Sequence, residues 1–161
     1  MDIRSASHRE EAIVMPFRHM LIALDFSPTS ERVLQRALAL AGSTQAAITL
    51  LHVVDYLPPL GFADDFTPSP AVMVDEHTLV EGATRTLDRH AERFGLDEGV
   101  ARVVRVGTPR QEIVTLAAER GVDLIVIGSH GRHGLRRLLG STANAVLNDA
   151  ACDVLAIRAN D

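Results

Sequence analysis

Cysteine is almost missing from this 161-residue chain, with Cys152 the sole example. That excludes an internal disulfide framework and a zinc centre built from several thiolates; it suits a reducing compartment, so a cytoplasmic location is expected. Long apolar runs are missing too. No stretch approaches the roughly 18 residues that a spanning helix requires, so no membrane partner is expected. Positive charge is in deficit: 16 Lys plus Arg stand against 21 Asp plus Glu, a net charge of -5. A chain whose main task was to coat nucleic acid would carry the opposite balance, so no nucleic-acid partner is expected and any anion site must be local. The opening MDIRSASHREEAIV mixes charges and has no apolar h-region, so it is not a secretory signal, and residues 1–16 are expected to be a disordered leader. What is present is ample core material. With 47% hydrophobic and 23% charged residues, 17–161 reads as one globular domain.

The apolar pattern alternates between two kinds of segment. HMLIALD (His19 to Asp25) is short, nearly all apolar and closed by Ser27-Pro28, as expected of a strand buried on both faces. Ser27 is placed to cap a helix with Pro28 at its first position; Val33, Leu34, Ala37, Leu38 and Ala41 then recur at helical spacing, with Gly42 as the expected stop. Ala47 to Val54 is a second buried strand. The stretch from Tyr56 to Pro70 holds four of the seven prolines and reads as a long irregular connection. A second helix spans roughly 72–94, ended by Gly95, with Leu79, Val80, Ala83, Leu87, Ala91 and Phe94 on one face. Val100 to Val106 interleaves Arg102 and Arg105 with valines, which predicts a strand near a sheet edge. Thr108-Pro109-Arg110-Gln111 has the form of a capping box and opens a third helix that runs to Gly121. Val122 to Ile127 is a fourth strand, Ser141 to Asn148 a short helix, and Asp153 to Arg158 a fifth strand. Strict alternation of this kind predicts an α/β fold: a doubly wound, open, five-stranded parallel sheet with helices on both faces, Rossmann-like in outline.

Ligands of such sheets bind beyond the carboxyl ends of the strands, where the strand order reverses. The segment after the fourth strand, GSHGRHGLRRLLGS, fits an anion. Gly128, Gly131, Gly134 and Gly140 permit close backbone approach, Ser141 and Thr142 open a helix with free amides, and Arg132, Arg136 and Arg137 add charge. Other nucleotide and nucleophile signatures are missing. There is no Gly-Lys-Ser/Thr of a P-loop, no GxGxxG after the first strand, and no GxSxG elbow. Asp25, at the end of the first strand, can accept from a ribose hydroxyl or an exocyclic amine, and its plainer alternative is a cap or turn residue. His130 and His133 have the spacing of a weak ligand pair, but no third ligand joins them, so no metal site is assigned. His52 reads as a hydrogen-bonded core histidine and Cys152 as a small buried residue.

The segments LIALDFSPTS, DLIVIGSHGRHGLRRLLGSTANAVL and CDVLAIR resemble the universal stress proteins over about nine tenths of the chain, from Phe17 to Ala159. In the nucleotide-binding branch of that family a glycine, two residues, a second glycine and nine residues precede Gly-Ser or Gly-Thr. Here Gly128, Gly131, Gly140 and Ser141 match, with eight residues, Arg132 to Leu139, in the spacer. The resemblance implies a fold like that of the adenine nucleotide alpha hydrolases and an ATP site, with AMP or ADP as further occupants and Mg2+ accompanying the phosphates. It implies that Asp25 faces the adenosine, that Val53 lines the adenine pocket and that Ile127 packs beneath the ribose. Gly128, Gly131, Arg132, Gly140, Ser141 and Thr142 would then hold the phosphates. It further implies a homodimer through the fifth strand, and a nucleotide-responsive stress module with no catalytic residue assigned. Two alternatives stand beside this one: a slow ATPase or autophosphorylating enzyme using His130 or His133, and a dimeric interaction protein that holds no nucleotide, like another branch of the family.

Overall fold

The computed structural model describes residues 17–55, 75–129 and 139–158. Among the described residues nine elements follow one another in the expected alternation: β1 (His19–Ala23), α1 (Pro28–Thr44), β2 (Ala47–Val54), α2 (Glu76–Arg93), β3 (Ala101–Val106), α3 (Pro109–Glu119), β4 (Leu124–Gly128), α4 (Ser141–Asp149) and β5 (Asp153–Ile157). The strands form one sheet in the order β3-β2-β1-β4-β5, and every pairing is parallel. The fold is therefore the open doubly wound sheet predicted from the alternation.

Strand parity assigns the two cores. On one face Met20, Ile22 and Leu50, with Leu124 and Val126, pack against Val33, Leu34 and Ala37 of α1 and Leu87 and Ala91 of α2. On the other, Leu21, Leu51, Ile125 and Ile127 pack against Ile113, Leu116 and Ala117 of α3 and Ala143 and Val146 of α4. Met20, Leu21, Ile22, Leu50, Leu51, Ile125 and Val126 are all at 0% exposure. Each such side chain contributes about 1.5 to 3 kcal/mol by leaving water, which explains why β1, β2 and β4 read as unbroken apolar runs. β3 is only half-buried along its length and lies at one edge, as its two arginines predicted. β5 lies at the other edge.

Several boundaries differ from the sequence pattern. β1 ends at Ala23, two residues short of Asp25. α1 runs through Gly42 to Thr44, and the left-handed residue that ends it is Gln45 at φ 55°. Nothing lies within 4 Å of a Cβ added at Gly42, so that glycine occupies an ordinary exposed helical position and is not a stop. Pro28 and Pro109 do sit in the first turns of their helices, but neither Ser27 nor Thr108 makes a side-chain capping hydrogen bond. The backbone closes these turns instead, with the Ser30 amide donating to the Ser27 carbonyl at 2.9 Å and the Glu112 amide to the Thr108 carbonyl at 3.1 Å. At the opposite end of the sheet, the Asp123 carboxylate accepts from the Arg18 amide at 2.9 Å and the His19 amide at 3.0 Å, which ties the start of β1 to the start of β4.

Candidate functional site

The strand order reverses between β1 and β4, because β1 leads into α1 on one face while β4 leads toward α4 on the other. The divergence opens a crevice at the carboxyl ends of these strands. Register fixes what meets there. Ala23 is paired with both Leu51 and Ile127, so two residues further along the three chains stand Asp25, Val53 and Ser129. Val53 and Ile127 belong to the face covered by α3 and α4.

Asp25 does two jobs at once. Its Oδ1 accepts from the Ser27 amide at 3.0 Å and from the Ser30 hydroxyl at 2.7 Å, while its own amide donates to Ser30 Oγ at 3.2 Å. Burial pushes the carboxyl up, but the hydrogen bonds from Ser27 and Ser30 outweigh it and hold Asp25 below its ordinary value. The group is thus an anion at neutral pH with one oxygen fixed. Both hydrogen bonds fall on Oδ1, which leaves Oδ2 as the acceptor that a ligand donor can reach.

The β4 side is closed by backbone. The Ser129 amide donates to the Ile157 carbonyl at 2.8 Å, and the Ser129 carbonyl accepts from the Gly140 amide at 2.7 Å. The two ends of the glycine segment therefore meet although eleven positions separate Ser129 from Gly140. Gly140 is the N-cap of α4, makes no side-chain cap and accepts from the Asn144 amide at 2.9 Å. Without a capping side chain, the first-turn amides of Ser141, Thr142 and Ala143 have no partner within the helix, and the dipole there favours an anion. Gly128, Gly140, Ser141 and Thr142 thus gather at one end of the crevice, while Gly131 and Arg132, with Arg136, Arg137, His130 and His133, lie outside the described residues. Among the described residues no group of three or more His, Cys, Asp or Glu is placed to hold a metal.

Two features escaped the sequence pattern. Phe26 adopts φ 58°, a left-handed conformation rare for a bulky side chain, and its ring stacks on His52 at 3.9 Å with 13° between planes. His52 Nδ1 donates to the Leu24 carbonyl at 2.7 Å, as suits the hydrogen-bonded histidine expected in β2, and so ties the loop after β1 to β2. Ser30 is the other. Its position five residues after Asp25 was a usable signal, since a serine in the first turn of a helix can reach back to a preceding carboxylate; nothing local announced Phe26.

Comparison with known proteins bears on the family and the fold. The profile of the Universal stress protein family matches residues 16–158. Universal stress protein A homolog 2 of Coxiella burnetii is 38% identical over 143 residues, covering 88% of this chain and 95% of that protein. The solved structure of the protein MJ0577, from Methanocaldococcus jannaschii, superposes with a TM-score of 0.70 at 27% identity, covering 91% and 99% of the two chains. A universal stress protein from Archaeoglobus fulgidus, solved in complex with dAMP, shares the fold with a TM-score of 0.59 at 22% identity over 88% of this chain and 98% of that one.

Proposed function

This chain belongs to the universal stress protein family, and from that premise we propose that it is a cytoplasmic, homodimeric, ATP-binding regulatory or protective module. One observation carries the reading. The 2.7 Å hydrogen bond between Gly140 and Ser129 brings the uncapped start of α4 to the mouth of the crevice, opposite the fixed carboxylate of Asp25. An uncapped helix start suits phosphates, and an ionised carboxylate with a spare oxygen suits a nucleoside's hydroxyl or amine donors. That the fold accommodates an adenine nucleotide is known from the dAMP complex of the Archaeoglobus protein.

In this reading Asp25 accepts from the adenosine, Val53 lines the base pocket and Ile127 underlies the ribose. Gly128, Gly131 and Gly140 admit the phosphates to backbone amides, with Arg132 and the hydroxyls of Ser141 and Thr142 adding donors. AMP and ADP fit the same contacts, and Mg2+ would arrive with the phosphates. Hydrolysis additionally needs a group to orient water and one to hold the metal. The segment from Gly128 to Thr142 holds no carboxylate to supply either, and Asp25 is already held by Ser27 and Ser30. Turnover is therefore expected below about 0.1 per second, where working enzymes reach about 1 to 1,000. Dimerisation would proceed through the free edge of β5. The Ile157 carbonyl faces β4, so by strand alternation the amides of Val154 and Ala156 face outward, ready to pair with a second copy.

Calorimetry with ATP and AMP tests the site. Saturable heat is expected, and Gly140→Val is expected to weaken ATP by at least tenfold, about 1.4 kcal/mol, by blocking backbone approach. Absence of heat for both nucleotides, together with none released from the purified protein, would leave a dimeric interaction protein instead.

A further inference from the structure

A second concavity, of about 650 Å³, lies between the first two turns of α1 and the end of α2 and is lined by Arg32, Arg36, Arg93, Glu31, Gln35 and Phe94 among others. This size falls within the range of small-molecule sites. Its charge is unusual for a protein of net charge -5. Arg93 is matched by an ion pair with Glu31, which fastens the last turn of α2 to the first turn of α1. Arg32 and Arg36 have no ion-pair partner among the described residues, and they stand one helical turn apart, where like charges oppose each other. The Arg32 Nε is buried and without a hydrogen-bond partner. An unsatisfied guanidinium donor keeps unused capacity for an acceptor.

We propose that this groove binds a phosphate monoester, at a site separate from the nucleotide crevice. The charge count selects the ligand class. Once Glu31 has neutralised Arg93, two guanidinium charges remain, and a phosphate monoester carries about -1.5 to -2 at neutral pH, whereas a carboxylate or sulfate ester carries one charge and leaves an arginine unmatched. Guanidinium forks suit tetrahedral phosphate oxygens, and Arg32 and Arg36 both line the groove from α1. The half-buried Phe94 ring offers a flat apolar wall to the body of the ester, and the Gln35 amide adds a polar contact at the rim.

The test is a titration of the full chain with phenyl phosphate, inorganic phosphate and phenyl sulfate, followed by amide and Arg Nε–H nuclear magnetic resonance. Phenyl phosphate is expected to shift Arg32 Nε–H and the amides of residues 31–36 and 93–94 saturably, with a dissociation constant below about 1 mM. Inorganic phosphate should move the same signals more weakly, and phenyl sulfate should bind at least about tenfold more weakly. Arg36 is exposed, so Arg36→Gln should fold normally and lose at least about tenfold in affinity for phenyl phosphate. Gly140→Val, which obstructs the crevice, should leave the groove titration unchanged. Unmoved groove signals, shifts confined to Asp25, Gly128 and Ser141, equal affinity for sulfate and phosphate esters, or an Arg36→Gln protein that binds as before would each overturn the proposal. Inorganic phosphate binding as tightly as phenyl phosphate would overturn the monoester assignment.

Discussion

Replacing Ser30 by alanine probes the lock on Asp25 without touching the carboxylate. Ser30 is 2% exposed; its hydroxyl donates to Asp25 Oδ1 at 2.7 Å and accepts from the Asp25 amide at 3.2 Å. A hydrogen bond to a charged group contributes about 1.5 to 3 kcal/mol and a neutral one about 0.5 to 1.5. Asp25 is only half-buried, so water replaces part of what is lost, and a net destabilisation of about 2 kcal/mol at pH 7 is expected. For a chain of this size that corresponds to a fall in Tm of about 4 to 8 °C. The sign of the pH dependence follows from the lowered folded-state value. Stability from the ionised carboxylate is fully present above the unfolded value of 3.8 and is lost as pH falls through the lower folded value. Ser30→Ala moves Asp25 back toward 3.8, so the gap between the two proteins should be constant from pH 7 to about 5 and narrow progressively below pH 4. Urea unfolding across that range measures the gap, with the exposed Ser43→Ala as control. A Ser30→Ala cost equal to that of Ser43→Ala, or a gap that stays constant down to about pH 2, would refute the lock.

Three further outcomes follow from other parts of the molecule. Leu87→Ala opens a cavity where α2 meets the sheet, at a residue 1% exposed, and should cost about 2 to 5 kcal/mol in urea unfolding. Cys152 is pushed up by burial and then by the charges of Asp153 and Asp123, so its alkylation by iodoacetamide at pH 8 should run about threefold or more slower than that of a free cysteine, and faster reaction would contradict this. Ala156→Pro removes an outward amide from β5 while sparing the ladder to β4, and should give a folded monomer by circular dichroism and sedimentation; a dimer that survives would exclude pairing along this edge.

The alternation of short apolar runs with helical stripes was enough to establish the element order, the parallel sheet and the edge position of β3, because burial on one face, both faces or an edge leaves its period in the residues themselves. Segments such as GSHG and LLGST suggested the proposed anion site through glycines and a hydroxyl-led helix, features of local backbone freedom. Local chemistry misled where the surroundings supplied the missing partner. Gly42 looked like a helix end, yet packing of Ala41 and Thr44 against the core carries α1 past it to Gln45. Ser27 occupies the expected N-cap position, yet the first turn is closed by backbone and the carboxylate is held by Ser30. Only the tertiary structure joined Ser129 to Gly140, stacked Phe26 on His52, turned the amides of Val154 and Ala156 outward and set Arg93 beside Glu31 across 62 positions of chain. Those contacts depend on strand register and helix placement, which are decided by the collective burial of two cores and leave no trace in the spacing of neighbouring residues.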